Sequence, residues 1–459
     1  MTGEGSLLEM PSTCENKLRI AFSGGGFRAT FYSLGAFRRL VELGLGDKVC
    51  RIDSVSGGSI TAGQIMLALS SGPFKDTADF DRRVSQPLRS LGQSRFRERI
   101  SFPVFGFVAL ASLAYLWLVS YFKTPLFVSL TAYILLLFYI RPAKLFGVSC
   151  LFMLNAFFKN KLMRSLPASP EWSANATCLN TGKRFRFKQK DFGGDKIGLT
   201  QDNDIKISFA VACSAAAPPV FTPYRLSLGK RKFFNRRGKE NLFNPHPPAQ
   251  VFLCDGGIYD NLGSESILQE ENTENQNFIV VDAGQYIPQW FPNLNPHSLE
   301  NTSRVIETAV DQIILLRRRI LYGATQAQKP SGTILILEEP VKDYLSGKKC
   351  EAIGKTQEFP GEKLPAYDIF PEEIDKMIAG LRTDLDSFHD IEIDLLTWAG
   401  AVRMDIALKR YFKEYLRQDQ INDLPVKPSY DQQRMIEILT RGRRFSVPFG
   451  FLHKRIKEK

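Results

Sequence analysis

The chain of 459 residues has few cysteines, and none of them lies in a paired CxxC arrangement. An odd and scattered set of seven argues against both a disulfide framework and a zinc site. We therefore expect mostly reduced, structural thiols and no bound metal or other cofactor. The cysteines are Cys14, Cys50, Cys150, Cys178, Cys213, Cys254 and Cys350.

Histidine is also scarce, which matters because it is the usual partner of a serine nucleophile. The four histidines are His246, His297, His389 and His453, and none lies in a sequence setting typical of catalysis. The sequence also lacks a GxGxxG dinucleotide fingerprint, an Asp/Asn-rich calcium loop, an internal repeat and an N-terminal secretory signal. A serine nucleophile in this chain would need a different base, and a carboxylate is the better candidate.

Charge is absent from one long stretch. The twenty-one residues from Phe102 to Phe122 carry none, and as a helix they would span the ~30 Å hydrocarbon core of a bilayer. After Lys123 a second apolar run, Leu126 to Ile140, predicts a spanning or re-entrant leg, and Leu145 to Phe158 predicts an interfacial helix. Basic residues on both flanks predict a hairpin with both ends in the cytoplasm. The alternative is a pair of buried core helices, although the runs show no polar face.

The formal net charge of +12 favours anionic partners, which could be lipid headgroups or nucleic acid. Basic clusters at 230–232, at 236–237 and in the C-terminal tail occur without a recognisable nucleic-acid-binding motif. We therefore expect a lipid-facing or solvated basic surface and no nucleic-acid partner. A pore formed by the apolar runs in an oligomer is poorly supported, because Lys123 is their only charged residue.

On both sides of the apolar runs, strands alternate with helices. Strand, glycine-rich turn and helix occur twice in the first 70 residues, which predicts a parallel sheet with crossover helices. The predicted strands are Leu18–Phe22, Arg51–Val55, Gln250–Cys254, Phe278–Val281 and Thr333–Leu337. The predicted helices are Arg28–Leu45 and Gly58–Leu69, with a largely helical region from about Pro371 to Arg417.

Two turns between a strand and a helix contain candidate functional residues. In Ser54-Val55-Ser56-Gly57-Gly58, Ser56 stands where the nucleophile of a strand–turn–helix elbow belongs, although Ser54 replaces the first glycine of GxSxG. The turn Ser23 to Arg28 contains Gly24, Gly25 and Gly26, whose N–H groups could form an oxyanion hole. Each turn could also be structural only. Arg28 could hold a lipid phosphate or cap local carbonyl groups.

A third motif, Asp255-Gly256-Gly257, follows a predicted strand. An aspartate at a strand end can reach the end of a neighbouring strand, although a lone Asp-Gly-Gly is more often a turn. Asp255 is the candidate base for Ser56, and partial desolvation would raise its proton affinity.

The order Gly-Gly-Gly-x-Arg, serine elbow, Asp-Gly-Gly resembles the patatin-like phospholipases. The segments Ala174–Lys183, Ala212–Pro219 and Arg382–Leu385 are also similar to that family. The resemblance implies a three-layer α/β/α fold with a mainly parallel central sheet. It further implies a Ser56–Asp255 dyad, an oxyanion hole that includes Gly57, and cleavage of lipid acyl esters. Ser54 and the apolar hairpin depart from the family pattern.

Five regions follow from these features. They are two catalytic parts at 15–100 and 161–300, a membrane hairpin and interfacial helix at 101–160, a C-terminal α/β and helical part at 301–425, and a basic tail at 426–459.

The resemblance implies a membrane-associated serine acyl-hydrolase of the phospholipase A or lysophospholipase type, with a membrane phospholipid as substrate. A lipid transacylase on the same dyad and a catalytically silent lipid-binding scaffold are the alternatives. Residues 102–158 are expected to enter the bilayer, with the catalytic domain on the cytoplasmic side. Both a monomer and an oligomer are compatible with the sequence.

Overall fold

The structure is a computed structural model. It describes residues 17–123, 128, 130, 131, 133, 134, 142–218, 220–229, 231–234, 248–269, 277–284, 299–327, 332–346 and 364–442. Several predictions lie outside these residues. They concern Cys14, Cys350, Lys230, Arg236, Arg237, His246, His297, His453, Pro219, most of 126–140, and 443–459.

Ten strands in the described residues form one sheet. They are β1 (Leu18–Phe22), β2 (Val49–Val55), β3 (Glu171–Cys178), β4 (Lys183–Lys188), β5 (Phe192–Gly194), β6 (Gly198–Thr200), β7 (Tyr224–Ser227), β8 (Gln250–Asp255), β9 (Asn277–Asp282) and β10 (Gly332–Ile336). The sheet order is β10-β9-β1-β2-β3-β4-β5-β6, with β8 beside β3 and β7 beside β8. The strands β10, β9, β1, β2 and β3 are parallel, and the remaining pairs are antiparallel.

Helices cover both faces of the parallel strands. They are α1 (Gly26–Glu42), α2 (Gly57–Leu69), α3 (Thr77–Phe80), which continues through a π-helical turn into α4 (Gln86–Gln93), α5 (Phe96–Phe122), α6 (Pro142–Phe157), α7 (Ile207–Ser214), α8 (Gly257–Asp260), α9 (Glu265–Gln269), α10 (Leu299–Ala327), α11 (Val341–Ser346), α12 (Glu372–Ala379), α13 (Asp390–Tyr411) and α14 (Gln432–Gly442). Short 3₁₀ helices occupy 46–48, 163–165, 413–415 and 418–421.

The side chains of β9 alternate between two hydrophobic cores. Ile279 and Val281 belong to the larger core with helices α1, α2 and α13, whereas Phe278 and Val280 belong to a smaller core that includes α10. Successive residues of a strand point to opposite faces, so both faces of the sheet are covered by helices. This arrangement confirms the predicted α/β class with a mostly parallel central sheet. The antiparallel extension beyond β3 and the helix α10 were not among the sequence predictions.

The strand register brings the three predicted motifs to one edge of the sheet. Phe22, the last residue of β1, pairs with Ser54 of β2. On the other side of β2, Val55 pairs with Asn175 of β3. The antiparallel β8 ends beside β3, where Asp255 pairs with Ala176. The turns that follow β1, β2 and β8 therefore converge, although they are up to about 230 residues apart in sequence.

Helix α5 is the one helix in the described part of the chain that is long and apolar enough to cross a membrane. Its outward side chains are exposed, including Phe102 at 77%, Leu110 at 68% and Trp117 at 63%. The predicted second leg falls mostly outside the described residues, so the hairpin remains a prediction. Helix α6 packs against α5 and α7, with Cys150 buried on one face.

Two further expectations concern the cysteines and the tail. Four cysteines are free and buried, namely Cys150, Cys178, Cys213 and Cys254. Cys50, however, is disulfide-bonded, which differs from the expectation of reduced thiols. Within the predicted basic tail, α14 buries Met435, Ile438 and Leu439 against the domain, so residues 432–442 belong to the folded part of the chain.

Candidate active site

The predicted elbow is formed by the sharp turn between β2 and α2. Ser56 has φ 50° and ψ −121°, and it immediately precedes α2. A positive φ is unfavourable for a residue with a side chain, and it persists only where surrounding contacts hold it. This backbone is typical of a nucleophile elbow, in which the turn exposes the serine hydroxyl at the end of the sheet. Ser56 is 9% exposed.

The turn after β1 packs directly against this elbow. A Cβ atom on Gly57 would lie 1.9 Å from the carbonyl oxygen of Gly26, so only glycine fits at that position. Gly25 and Gly26 have φ values of 136° and 55°, which favour glycine. The two turns can approach this closely only because glycine stands at these positions in both motifs.

Asp255 is the last residue of β8 and lies beside Ser56. Its side chain accepts a hydrogen bond from the N–H of Gly257 at 2.7 Å. Its own carbonyl accepts a hydrogen bond from Thr177 Oγ1 at 2.8 Å. Burial raises the pKa of Asp255 to about 6, and the N–H of Gly257 and the neighbouring Ser56 hydroxyl oppose this shift. The sequence predictions of Ser56 and Asp255 therefore meet in space.

If Asp255 is the base that takes the proton of Ser56, activity should fall at acidic pH, because only the ionised carboxylate can accept a proton. With a pKa of about 6, the logarithm of kcat/KM should rise with unit slope below pH 6 and level off above pH 7. The measurement is kcat/KM on a soluble ester between pH 4.5 and 9. A midpoint near 4 would show that burial does not raise this pKa, and a midpoint at or above 8 would point to another base.

Backbone N–H groups converge on the Ser56 side of the site. Among the described residues, no hydrogen bond engages the N–H groups of Gly25, Gly26 or Gly57. The N–H of Gly24, in contrast, donates to the carbonyl of Asn261 at 2.9 Å. The predicted oxyanion role of Gly24 is therefore not supported, whereas the other three N–H groups remain available to an anion.

Arg28 has a different environment from the one expected of a phosphate ligand. It is 0% exposed, and its guanidinium donates to the carbonyl groups of Ala379 at 2.7 Å, Leu381 at 3.2 Å and Ala283. Burial lowers the pKa of Arg28 to about 10. Of the two roles considered for Arg28, the structure favours the capping of carbonyl groups, since a lipid phosphate could not reach it.

The C-terminal part of the chain supports the glycine turn. The N–H of Phe27 donates to the carbonyl of Asp384 at 3.0 Å. A Cβ on Gly26 would lie 2.0 Å from the carbonyl oxygen of Thr383. The contacts of Arg28 with 379–381 reach the same part of the chain, so residues 379–384 fix the position of the turn.

His389 is the one histidine within the described ranges. It lies at the N-terminus of α13, where its Nδ1 accepts the N–H of Ile391 at 3.1 Å. In the same part of the chain, no group of three His, Cys, Asp or Glu side chains could hold a metal ion.

Sequence reasoning did not identify Ser214 and Asn175 as part of the site. The Ser56 N–H donates to Ser214 Oγ at 3.0 Å, and Ser214 Oγ donates to the Asn175 carbonyl at 2.6 Å. Both residues lie in segments noted only for their similarity to a known family. Their contacts span up to 158 residues, and local spacing carries no signal for them.

The chain is similar in sequence to a known family. The sequence model of the patatin-like phospholipases matches residues 20–266, which is just over half of the chain. No curated protein sequence matches the chain. Among solved structures, human GIVD cytosolic phospholipase A2 is 13% identical with a TM-score of 0.40, over 87% of this chain and 59% of that one. VipD from Legionella pneumophila is 14% identical with a TM-score of 0.27, over 68% and 56%. The chain thus spans less than two thirds of either of these structures.

Proposed function

The chain belongs to the patatin-like phospholipase family, and we propose that it is a membrane-associated serine hydrolase that cleaves fatty-acyl esters of membrane phospholipids. One observation carries the proposal. The hydroxyl of Ser56 lies beside the buried carboxylate of Asp255 and lowers its pKa, next to three backbone N–H groups without hydrogen-bond partners in the described residues. This is the combination of nucleophile, base and anion site that acyl transfer needs.

In the first half of the reaction, Asp255 takes the proton of Ser56 as Oγ attacks the ester carbonyl carbon. The carbonyl oxygen becomes an oxyanion, which the N–H groups of Gly25, Gly26 and Gly57 stabilise. The ester bond then breaks, and the leaving lysophospholipid oxygen takes the proton from Asp255. The fatty acyl group remains on Ser56 as an ester.

In the second half, a water molecule takes the place of the alcohol. Asp255 accepts a proton from this water, and the resulting hydroxide attacks the acyl carbon through the same oxyanion site. Collapse of the second tetrahedral intermediate returns the proton to Ser56 Oγ and releases the fatty acid. The carboxylate acts as base and then acid in each half, so a single buried group completes the cycle.

Helix α5 supports a membrane lipid as substrate. Apolar side chains such as Phe102, Leu110 and Trp117 are more than half exposed, and exposed apolar area of this kind marks a membrane or protein contact. Its first turn touches the active site. The Phe96 ring packs edge-on against Phe27, with centroids 6.0 Å apart, and Arg97 forms ion pairs with Asp384 at 3.2 Å and Asp386 at 3.0 Å.

These contacts would hold the glycine turn close to the headgroups when α5 enters the bilayer. The arginines that precede the apolar stretch, such as Arg95 and Arg99, favour the cytoplasmic side for this end of the helix. We therefore propose that the catalytic domain lies on the cytoplasmic face. A membrane phospholipid then reaches Ser56 without leaving the bilayer surface.

The proposed function is tested with purified protein and phosphatidylcholine vesicles, with mass spectrometry of the products. We expect equimolar fatty acid and lysophospholipid. The variant Leu113→Asp, in the middle of α5, should lower vesicle hydrolysis about 100-fold, because a carboxylate at the bilayer centre costs about 3 kcal/mol. It should leave hydrolysis of a short-chain, water-soluble ester unchanged.

The matched control is Val426→Asp, which places the same charge at an apolar residue that is 89% exposed outside the apolar helix. It should behave as the unmodified protein on vesicles and on the soluble ester. The absence of any fatty acid from the unmodified protein would refute the proposed hydrolase. Full vesicle activity of Leu113→Asp would refute only the role of α5 in membrane binding.

A further inference from the structure

Ser214 contacts both halves of the Ser56–Asp255 pair. Its hydroxyl oxygen accepts the N–H of Ser56 at 3.0 Å, and its carbonyl oxygen accepts the N–H of Gly256 at 3.2 Å. Two residues further on, the carbonyl of Ala216 accepts the N–H of Asp255 at 3.1 Å. The end of α7 therefore fixes the backbone of the nucleophile and that of the base through three hydrogen bonds.

The Ser214 hydroxyl is one of three buried serine hydroxyls in a row. Ser54 Oγ and Ser59 Oγ are 2.9 Å apart, and Ser59 Oγ and Ser214 Oγ are also 2.9 Å apart. Trp172 Nε1 donates to Ser54 Oγ at 2.9 Å, and Ser214 Oγ donates to the Asn175 carbonyl at 2.6 Å. Each of the three serines is at most 1% exposed, so water does not compete for these bonds.

The hydrogen bonds at the two ends of this row determine which hydroxyl is the donor in each contact between them. A hydroxyl has one proton, and Ser214 gives its own to the carbonyl oxygen of Asn175. Ser59 therefore donates to Ser214. The Ser54 hydroxyl has two possible acceptors, Ser59 Oγ at 2.9 Å and the Ser173 carbonyl at 3.3 Å, and it donates to the nearer one, Ser59. Ser54 in turn accepts the indole N–H of Trp172. The row is a single chain of donors that all point toward Ser214, an arrangement in which successive hydrogen bonds strengthen one another.

This chain ends at the strained residue of the elbow. Ser214 Oγ has two lone pairs, and it accepts Ser59 Oγ–H and the Ser56 N–H with them. All its hydrogen-bonding capacity is used, which holds the peptide before Ser56 in one orientation. The positive φ of Ser56 needs such support, because the relaxed backbone would turn the Ser56 hydroxyl away from Asp255.

We propose that Ser214 is a positioning residue for the dyad and that Ser54 and Ser59 orient it, an inference that rests on the proposed function. In this account Ser54 is not a weak substitute for the glycine of GxSxG. Its hydroxyl is the first member of the serine chain, and the indole of Trp172 fixes it. The departure from the family pattern is thus a functional feature of this protein.

The variant Ser54→Gly separates a space-filling role of Ser54 from a positioning role. Ser54→Gly restores the glycine of the elbow pattern, and a glycine is small enough for the close packing of strand and helix. If Ser54 only fills space, this change leaves the reaction unaffected or speeds it. If the hydroxyl chain positions Ser56, the change slows the reaction, because the chain then begins at Ser59 with no donor to orient it.

The test measures how fast a fluorophosphonate labels Ser56 in the full-length protein and in the variants Ser214→Ala and Ser54→Gly. We expect labelling to slow about 100-fold in Ser214→Ala and about tenfold in Ser54→Gly, since small displacements of a nucleophile have effects of this size. On a soluble ester, kcat should fall by the same factors while KM stays within about twofold. The pH midpoint of kcat/KM should not move.

The matched control is Ser33→Ala, because Ser33 is a 0% exposed serine of α1 whose hydroxyl has no hydrogen-bond partner in the described residues. It should label at the unmodified rate. Thermal unfolding of every variant separates positioning from loss of fold, and Ser54→Gly decides the question alone if Ser214→Ala does not fold. Unmodified rates in Ser54→Gly would overturn the proposal, whereas an unmodified protein that is never labelled would overturn the proposed function instead.

Discussion

The variant Ser56→Ala is expected to lower kcat on phospholipid vesicles at least about 10⁴-fold. Alanine removes the only atom that can form the acyl-enzyme, and the remaining N–H groups can assist only a direct attack by water. Alanine keeps the Cβ, and the N–H of residue 56 can still donate to Ser214 Oγ. The elbow should therefore retain its shape, and substrate binding should be nearly unchanged.

The measurement is release of labelled fatty acid, together with vesicle co-sedimentation of the same samples. The variant should bind vesicles as the unmodified protein does and yet release almost no fatty acid. A loss of activity below about tenfold would show that Ser56 is not the nucleophile, because covalent catalysis tolerates no such replacement. Labelling by a fluorophosphonate should also disappear in this variant.

The second large effect is expected from Asp255→Asn, with a fall in kcat of about 10³-fold to 10⁴-fold. Asparagine has nearly the same shape, and its carbonyl oxygen can still accept the N–H of Gly257. It cannot take the proton of Ser56, so attack would start from an unactivated hydroxyl. The residual activity should be the same at pH 6 and pH 8, because the group that titrates is gone, so the fall relative to the unmodified protein should be about twofold smaller at pH 6.

The stability of this variant should not fall, and this separates it from a folding defect. Burial raises the pKa of Asp255 above its unfolded value, so the ionised carboxylate destabilises the native state. That destabilisation is absent below the unfolded pKa and fully present above the folded pKa of about 6. At pH 8 the Asn variant should unfold at the same temperature as the unmodified protein or higher.

A matched comparison is Asp405→Asn, which alters another buried carboxylate away from the site. Asp405 is 0% exposed and pairs with Arg39 at 2.7 Å and Lys409 at 2.8 Å. Its replacement should lower the unfolding temperature, because two buried cations each lose one charged partner, while kcat per folded molecule stays the same. If Asp255→Asn behaves in this way as well, then Asp255 is structural and the proposed base is wrong.

The residues that local sequence patterns could predict are those whose role depends on short-range structure. Ser56 follows a strand and precedes a helix, and Asp255 ends a strand, so both positions could be inferred from five-residue motifs. Their meeting depends on the antiparallel pairing of β8 with β3, which puts Asp255 opposite Ala176, next to the residue that pairs with Val55. The strand β9 was predicted within one residue because Phe278 to Val281 form an unbroken apolar run, and β1 was predicted with its observed bounds although Arg19 interrupts its apolar residues.

Other features depend on contacts that no local pattern contains. The N–H of Gly24 donates to the carbonyl of Asn261, which is more than 230 residues away in sequence. Arg28 and the carbonyl group of Ala379 that it contacts are separated by 351 residues. The strands β5 and β6 are three residues each, too short to show any period. The serine chain joins residues of four elements, β2, α2, β3 and α7, and only their packing in space reveals its direction.

The position of β9 and β10 has a consequence for where the catalytic unit ends. The matched family region stops at residue 266, yet β9 is the neighbour of β1 on the side away from β2. A chain cut at 266 would leave β1 as a bare edge strand directly before the glycine turn. It would also lack Thr383 and Asp384, whose carbonyl groups support that turn. The smallest self-sufficient enzyme therefore extends through α13, and its sequence boundary lies well beyond that of its recognisable motifs.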